Sequence, residues 1–172
     1  MPQWPVPSSN SILVGGLPLF HEYEAADTIY PGMAVSFTAN LGAGVAVTIR
    51  PCEFGHDPVG IALKAMADQT GRGSWMVPGC TGAESTTKNL PYLIGDQVKV
   101  VSGDVFVMLI LDEEEDLVPG DKVQCSSNNA GYVEEFYCDG TTADPCDLLA
   151  ESLEAVTAGA GECEYFMAKL LI

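Results

Sequence analysis

The run Val105-Phe106-Val107-Met108-Leu109-Ile110-Leu111 is the most apolar stretch of the chain, and it decides how the rest is interpreted. Seven consecutive apolar residues without alternation fit a strand that is buried on both faces. Ser102-Gly103-Asp104 separates this run from a second Val-rich run at residues 97–101, which is a signal for a tight hairpin. We therefore predict a hairpin whose second strand lies at the centre of a β-sheet core.

Similar short runs extend outward from this strand in both directions, divided by turns rich in glycine or proline. They are residues 33–37, 45–50, 59–65, 74–77, 122–125, 131–137 and 163–172. Residues 28–49 carry no charge, but Pro31, Asn40 and several glycines break this segment, so it predicts two strands and a turn rather than a membrane span. This spacing predicts a mainly-β fold, either a small β-barrel or a sandwich.

A weak internal repeat runs through the chain. Ile29-Tyr30-Pro31-Gly32-Met33-Ala34-Val35 matches the pattern of Leu117-Val118-Pro119-Gly120-Asp121-Lys122-Val123, at an offset of 88 residues. Gly60-Ile61-Ala62-Leu63 matches Ala150-Glu151-Ser152-Leu153 at an offset of 90 residues. Residues 147–158 fit either a helix or a strand, and the repeat favours the strand. We expect a duplicated β unit, with a first unit at 19–86 and a second at 87–172 that pack as two related lobes or as one domain.

Charge divides the chain unevenly. The net charge is -17, and residues 1–86 hold seven acids and three bases (-4), whereas residues 87–172 hold seventeen acids and four bases (-13). Such a charge repels phosphate backbones, so nucleic acid is not an expected partner. The acid excess also suits a surface that stays hydrated in concentrated salt, which suggests a halophilic source. No cationic and apolar leader begins the chain, so we expect synthesis in a cytoplasm and no membrane partner.

The opening segment, residues 1–18, contains four prolines and the Gly15-Gly16 pair, a composition that favours an extended arm over a regular element. Its apolar side chains indicate that it lies on another surface, which is either its own core or a neighbouring molecule. The candidate partner-binding residues are Trp4, Pro5, Val6, Pro7, Ile12, Leu13 and Val14. Trp4 is the expected docking anchor, because an indole on a proline-rich arm is a typical contact residue.

Candidates for chemistry are few. The two histidines, His21 and His56, are far apart, and no nucleophile elbow, phosphate-binding loop or zinc-binding helix is present, so an enzyme and a cofactor are not expected. Cys52 and His56 could form half of a metal site, but a buried thiol beside an ordinary turn histidine is the favoured interpretation. Cys138 and Cys146 flank a loop that a disulfide could close, the alternative being two reduced thiols.

Five acids follow the central strand and form the densest charged run: Asp112, Glu113, Glu114, Glu115 and Asp116. We expect a solvent-facing loop at a strand end. Mutual repulsion would favour bound cations, yet the run lacks the spaced ligands and the glycine of a calcium loop, so these acids are weak metal candidates only.

The order of an apolar residue, Pro-Gly, a Val strand, a Gly-rich hairpin and a Val-Gly-Ile-Ala-Leu strand resembles the small β-barrel cement or decoration proteins of tailed-virus capsids. The positions that match are Pro31, Gly32, Val35, Gly60, Ala62, Leu63, Pro119, Gly120, Val123 and the ending Ala168-Lys169-Leu170-Leu171-Ile172. The resemblance covers about half of the chain. It implies attachment to the major capsid protein lattice on the outer surface of the virion, as a homo-oligomer and typically a trimer. The doubling and the acidic second half depart from the pattern, so the alternatives are a host-binding spike and, in a different class, a small acidic cytoplasmic enzyme or carrier.

Overall fold

The computed structural model describes residues 12–38, 47–63, 80–81, 91–137 and 148–172, and every regular element in these ranges is a β-strand. The strands are β1 (Leu13–Ala25), β2 (Ala34–Phe37), β3 (Thr48–Pro51), β4 (Pro58–Ala62), β5 (Cys80–Thr81), β6 (Gln97–Leu111), β7 (Asp116–Leu117), β8 (Lys122–Cys125), β9 (Val133–Glu135), β10 (Leu148–Ser152), β11 (Val156–Thr157) and β12 (Cys163–Leu170). The mainly-β prediction is confirmed. In the described part of the ambiguous segment, Leu148–Ser152 and Val156–Thr157 are strands, as the repeat indicated.

The strands form two closed rings that share β6. The large sheet has the order β1-β3-β2-β4-β6-β9-β8-β10-β12-β5, and β6 also pairs with β1 and with β12. The first ring is therefore β1-β3-β2-β4-β6, and the second ring is β6-β9-β8-β10-β12. Closing a sheet on itself removes most free edges, which is one way that β proteins avoid edge-to-edge aggregation.

Strand pairing repeats between the two rings in the same register. Val35 lies opposite Gly60 in the β2–β4 pair, and Val123 lies opposite Ala150 in the β8–β10 pair. The shift from 35 to 123 is 88 residues and the shift from 60 to 150 is 90 residues, which are the two offsets of the sequence repeat. A register irregularity falls just after each of these pairs along the ladder, so even the local defect is repeated.

Each ring also contains one parallel strand pair. Ala25 of β1 lies opposite Ile49 of β3, and Leu111 of β6 lies opposite Val133 of β9. In the first ring β6 is the final strand, and in the second ring it takes the place that β1 holds in the first. One continuous strand of 15 residues thus belongs to both units.

The Pro-Gly motifs form equivalent turns. Gly32 and Gly120 both have positive φ angles, of 91° and 99°, which glycine adopts without strain. Their amides donate to the carbonyls of Ala62 and Ser152, both at 2.8 Å. The first turn therefore ties the start of β2 to the end of β4, and the second ties the start of β8 to the end of β10.

The core consists of two buried clusters. One cluster holds Val35 and Ile49 of the first ring, and the other holds Val123, Leu109 and Phe166 around the second ring. Leu109, Ile110 and Leu111 are all fully buried, so β6 is covered on both faces where its run is most apolar. The prediction that residues 105–111 form the centre of the core is correct in this part of the strand.

The predicted hairpin at Ser102-Gly103-Asp104 is wrong, because these residues lie inside β6. Leu19, Pro18 and Leu17 of β1 pair with them in sequence, so the ladder runs through without a turn. Gly103 keeps the positive φ, 94°, that made the segment look like a turn. In β6, this glycine adopts that conformation within a ladder whose register is unbroken at Gly103.

The predicted extended arm is also shorter than residues 1–18. Residues 13–18 belong to β1 and pair with β6. Gly16 makes this possible, because a Cβ there would lie 2.3 Å from the carbonyl oxygen of Asp104. Residues 1–11, the expected strand at 74–77 and the expected unit boundary between 86 and 87 lie outside the described residues.

Candidate binding surfaces

The described part of the arm lies on the chain's own sheet. Ile12 is buried, and its carbonyl accepts a hydrogen bond of 2.8 Å from the amide of Met108. Leu13 lies opposite Val107 of β6, and Leu13 and Val14 are half-buried. The other candidate contact residues, Trp4, Pro5, Val6 and Pro7, lie outside the described residues.

A surface that the sequence did not single out follows directly along β1. Leu17 and Leu19 are 79% and 60% exposed, and Phe20 is also exposed. Pro18 lies between them, and its missing N–H suits a strand edge that faces solvent. Large apolar side chains that remain exposed together are unusual on a soluble protein and mark contact surfaces.

The acidic run after β6 does not all face solvent, which corrects the expectation for Asp112. This residue is only 2% exposed, and its carboxylate accepts hydrogen bonds from the Ser126 hydroxyl, the Asn129 side-chain amide at 2.7 Å and the Glu113 amide at 2.9 Å. Ser126 in turn accepts hydrogen bonds from the amides of Asn128 and Asn129. A buried carboxylate with this many donors is satisfied without a metal ion.

The other acids of the run hold neighbouring loops. Glu113 accepts the Gly161 amide at 2.7 Å, Glu115 accepts the Glu135 amide at 3.1 Å, and Asp116 accepts the Thr157 hydroxyl at 2.6 Å. Glu114 has a positive φ of 62°, and a non-glycine residue rarely adopts this conformation. The run therefore fastens the end of the second ring through its side chains, a role that its composition alone did not reveal.

A small polar cavity of about 200 Å³ opens beside this network, lined by residues that include Asp112, Glu113, Tyr132 and Glu162. Burial raises the pKa of Tyr132, and the negative charge of Asp112 raises it further, so its hydroxyl keeps its proton. Ligand pockets usually enclose about 300 to 1,000 Å³ and are mainly apolar. This cavity is smaller and acidic, which does not suit an ordinary small-molecule site.

Within the described ranges, no group of three or more histidine, cysteine or acidic side chains could hold a metal ion. The thiol of Cys52 donates to the carbonyl of His56 at 3.3 Å, whereas the His56 imidazole lies 3.7 Å from the Glu53 carboxylate. Cys52 is buried, as a structural thiol would be. The two side chains therefore point to different partners.

The cysteines form at least one disulfide, since Cys163 at the start of β12 is disulfide-bonded. Cys125 is a second buried thiol. The suggested Cys138–Cys146 bridge lies outside the described residues and stays a prediction. Along the part of the chain that the structure covers, there is also no helix long and apolar enough to cross a membrane.

These features define an all-β protein of two fused five-stranded rings, with an apolar strip on β1 and an acidic loop system at the far end of β6. No protein-family model matches the chain, and no curated protein matches it. Among solved structures, it is similar to the head fibre gp8.5 N base of bacteriophage phi29, with a TM-score of 0.45 and 11% identity over 90% of this chain and 94% of that one. A score this low establishes neither the fold nor the function of the chain.

Proposed function

We propose that the chain is a structural protein of a virus particle that decorates and braces the outer surface of an icosahedral capsid. It would bind the lattice of the major capsid protein as a homo-oligomer, with a trimer favoured, and it would carry no catalytic activity. A salt-loving host fits its net charge of -17.

One observation carries this proposal. The residues behind the resemblance to decoration proteins occupy matching places in the two rings. Pro31-Gly32 forms the turn before β2, and Pro119-Gly120 forms the turn before β8. The equivalent residues Val35 and Val123 follow these turns, and both are fully buried. Two copies of one β unit that share a strand offer the outer surfaces of both rings for contact, which suits a protein whose function depends on contact area.

The described side chains support a binding role over a catalytic one. The polar residues that cluster most densely, around Asp112, donate and accept hydrogen bonds among themselves. Catalytic groups, in contrast, are directed at a substrate and leave room for it. The disulfide at Cys163 also suits a protein that functions outside a reducing cytoplasm.

The attachment surface in this proposal is the arm, with Trp4 as the anchor and Pro5, Val6 and Pro7 beside it. The arm leads directly into β1, so a partner that holds it would also hold the first strand of the first ring. A rigid strand behind a short contact segment lowers the entropic cost of binding.

The test is co-sedimentation of the purified chain with particles of its parent virus that have been stripped of it. We expect Trp4→Ala to weaken attachment roughly tenfold or more, as loss of an interface anchor does. Tyr137→Ala is the matched control, because Tyr137 is an exposed aromatic residue that the proposal does not use. Deletion should remove residues 1–11 only, since a longer deletion would cut into β1. Full attachment by both the Trp4 variant and the deletion would refute the arm as the anchor, and no binding by the intact chain would refute the capsid role itself.

A further inference from the structure

The strands that open the two rings correspond to each other residue by residue. β1 opens the first ring and β6 opens the second, and each makes the parallel pair of its ring through one of its last residues. These residues are Ala25 and Leu111, so the offset between the two strands is 86 residues (111 minus 25). The amide of the next residue donates to the paired strand in both rings, at 2.8 and 2.9 Å. By this offset, Glu22 of β1 corresponds to Met108 of β6.

In the second ring, the outer edge of the opening strand is covered. This is the edge of β6 that faces away from β12, and residues 13–17 of β1 lie along it in an antiparallel ladder. The amide of Met108 donates to the carbonyl of Ile12 at 2.8 Å, and Ile12 is buried. Gly15 lies opposite Phe106, and a Cβ at this glycine would lie 3.9 Å from the Phe106 ring. This edge therefore holds an extended segment with a large apolar residue and a glycine.

In the first ring, the backbone of the corresponding edge points outward. The carbonyl of Lys99 accepts the amide of Leu63 at 2.8 Å, so the backbone of Lys99 faces the β4 side of β6. Glu22 lies directly opposite Lys99. Opposed residues of an antiparallel pair either exchange both hydrogen bonds or neither, so the N–H and C=O of Glu22 face away from β6. Phe20, two residues earlier, has the same orientation.

The open part of this edge has defined ends. Pro18 has no N–H to donate at one end, and β3 pairs with Glu24 at the other. Among the described residues, no strand pairs with the outer edge of β1 between these two positions. The apolar side chains of Leu19 and Phe20 on this stretch are 60% and 53% exposed. Unpaired backbone groups on an exposed edge are a template for a further strand.

We propose that residues 19–23 of β1 form a strand-acceptor site, which binds an extended segment of another protein antiparallel to β1. The second ring specifies this segment, because β6 holds its equivalent: a large apolar residue in the place of Ile12 and a small residue in the place of Gly15. Residues 12–17 of the chain itself are already held by β6, so the segment comes from another molecule. Main-chain hydrogen bonds supply the affinity of such a site, and the side chains supply its selectivity. The site does not depend on the proposed function, which places the capsid anchor on the arm.

The test measures binding of a synthetic peptide to the full-length chain. The peptide has the sequence of residues 10–17, so it carries Ile12 and Gly15 at their natural spacing, and a fluorescent label reports binding by anisotropy. We expect saturable binding with a Kd below about 300 µM. No binding in this range would overturn the inference.

A proline substitution tests the backbone contact directly. Glu22→Pro removes an N–H that faces away from β6, so the β1–β6 ladder keeps its hydrogen bonds, and Pro18 already has this orientation four residues earlier. Glu22→Ala loses the same carboxylate but keeps the N–H, so it is the reference variant. We expect the Kd of the proline variant for the peptide to be roughly tenfold or more above that of the alanine variant, because a hydrogen bond is lost and the ring blocks close approach. Equal values would refute strand addition.

Amide hydrogen exchange locates the bound peptide without any substitution, and it decides the matter if circular dichroism shows that Glu22→Pro does not fold. At a peptide concentration of about ten times Kd, exchange of the Phe20 and Glu22 amides should slow roughly tenfold. The Met108 amide, already bonded to Ile12, should not change. Protection that excludes Phe20 and Glu22 would overturn the inference, and a change at Met108 instead would mean that the peptide replaces residues 12–17 on β6. No virus particle is present, so these results are independent of the capsid role.

Discussion

A matched pair of core substitutions tests whether the two rings are one folding unit. Val35 and Val123 occupy equivalent places in β2 and β8, and both are fully buried, in different core clusters. Replacing either valine by alanine removes two methyl groups. At about 0.8 kcal/mol for each buried carbon, with a smaller addition for the cavity, the loss is roughly 2 kcal/mol for each variant.

Sharing β6 determines how these losses should appear. If the first ring unfolds, β6 loses β1 from one edge and β4 from the other. The β1–β6 ladder extends from Gln97 as far as Val107, into the half of β6 that pairs with β12. Neither ring can therefore open without weakening the other. We expect one unfolding transition in each variant, lowered by about 4 to 8 °C in a chain of this size.

Differential scanning calorimetry and urea unfolding, followed by both fluorescence and circular dichroism, provide the measurement. The double variant should lose about the sum of the two single losses, roughly 4 kcal/mol, because the residues lie in separate clusters. Two resolved transitions, with Val35→Ala moving only one and Val123→Ala only the other, would refute the shared-strand reasoning.

Four further predictions follow from individual contacts. Gly60→Ala should lower the free energy of unfolding by roughly 2 kcal/mol or more, because the new Cβ would lie 2.5 Å from the Val101 carbonyl oxygen. Gly55→Ala is the control, since the space around Gly55 is open, and it should lower the free energy of unfolding in urea by only about 1 kcal/mol. Asp112→Ala should cost about 3 kcal/mol by leaving the donors of Ser126 and Asn129 unpaired, and a loss as small as that of Asp116→Ala would contradict its buried role. Burial raises the pKa of Tyr92 from 10.0 to about 12, so its contribution to stability is complete below pH 10 and is lost as the pH rises towards 12. Tyr92→Phe should therefore flatten the curve of unfolding free energy against pH between these two values. An equally steep curve in the variant would exclude Tyr92 as the cause. Dialysis into low salt should loosen the chain through repulsion among its 24 acids, which circular dichroism would detect, and an unchanged spectrum would argue against a salt-adapted surface.

The local features of the fold could be predicted from the sequence. The apolar run ending in Leu109-Ile110-Leu111 specified a buried strand, and the two Pro-Gly motifs specified equivalent turns. The offsets of 88 and 90 residues also appear in the observed strand registers. The apolar run and the turns depend on neighbouring residues, and the repeat is visible because each of its copies is a short continuous pattern.

The candidate sites were predicted less well. The arm residues after Pro7 were identified as contacts, but Ile12 is buried in the chain's own core, and the exposed Leu17 and Leu19 were not identified. Exposure of an apolar residue depends on what packs over it, which a single sequence does not contain. The buried position of Asp112 was missed for the same reason, since its donors come from Ser126 and Asn129 in another turn.

By itself, the sequence determined an acidic, all-β chain built from a repeated unit, because alternation, turn residues and charge are properties of short segments. Only the tertiary structure decided that β6 passes through Gly103 without turning and so belongs to both rings. A glycine with positive φ fits a hairpin and a kinked strand equally well, and pairing with Pro18, 85 positions earlier (103 minus 18), selects the strand. The same long-range pairing places Lys122 beside Glu151 and Lys169 beside Asp104, two ion pairs that no stretch of the sequence displays.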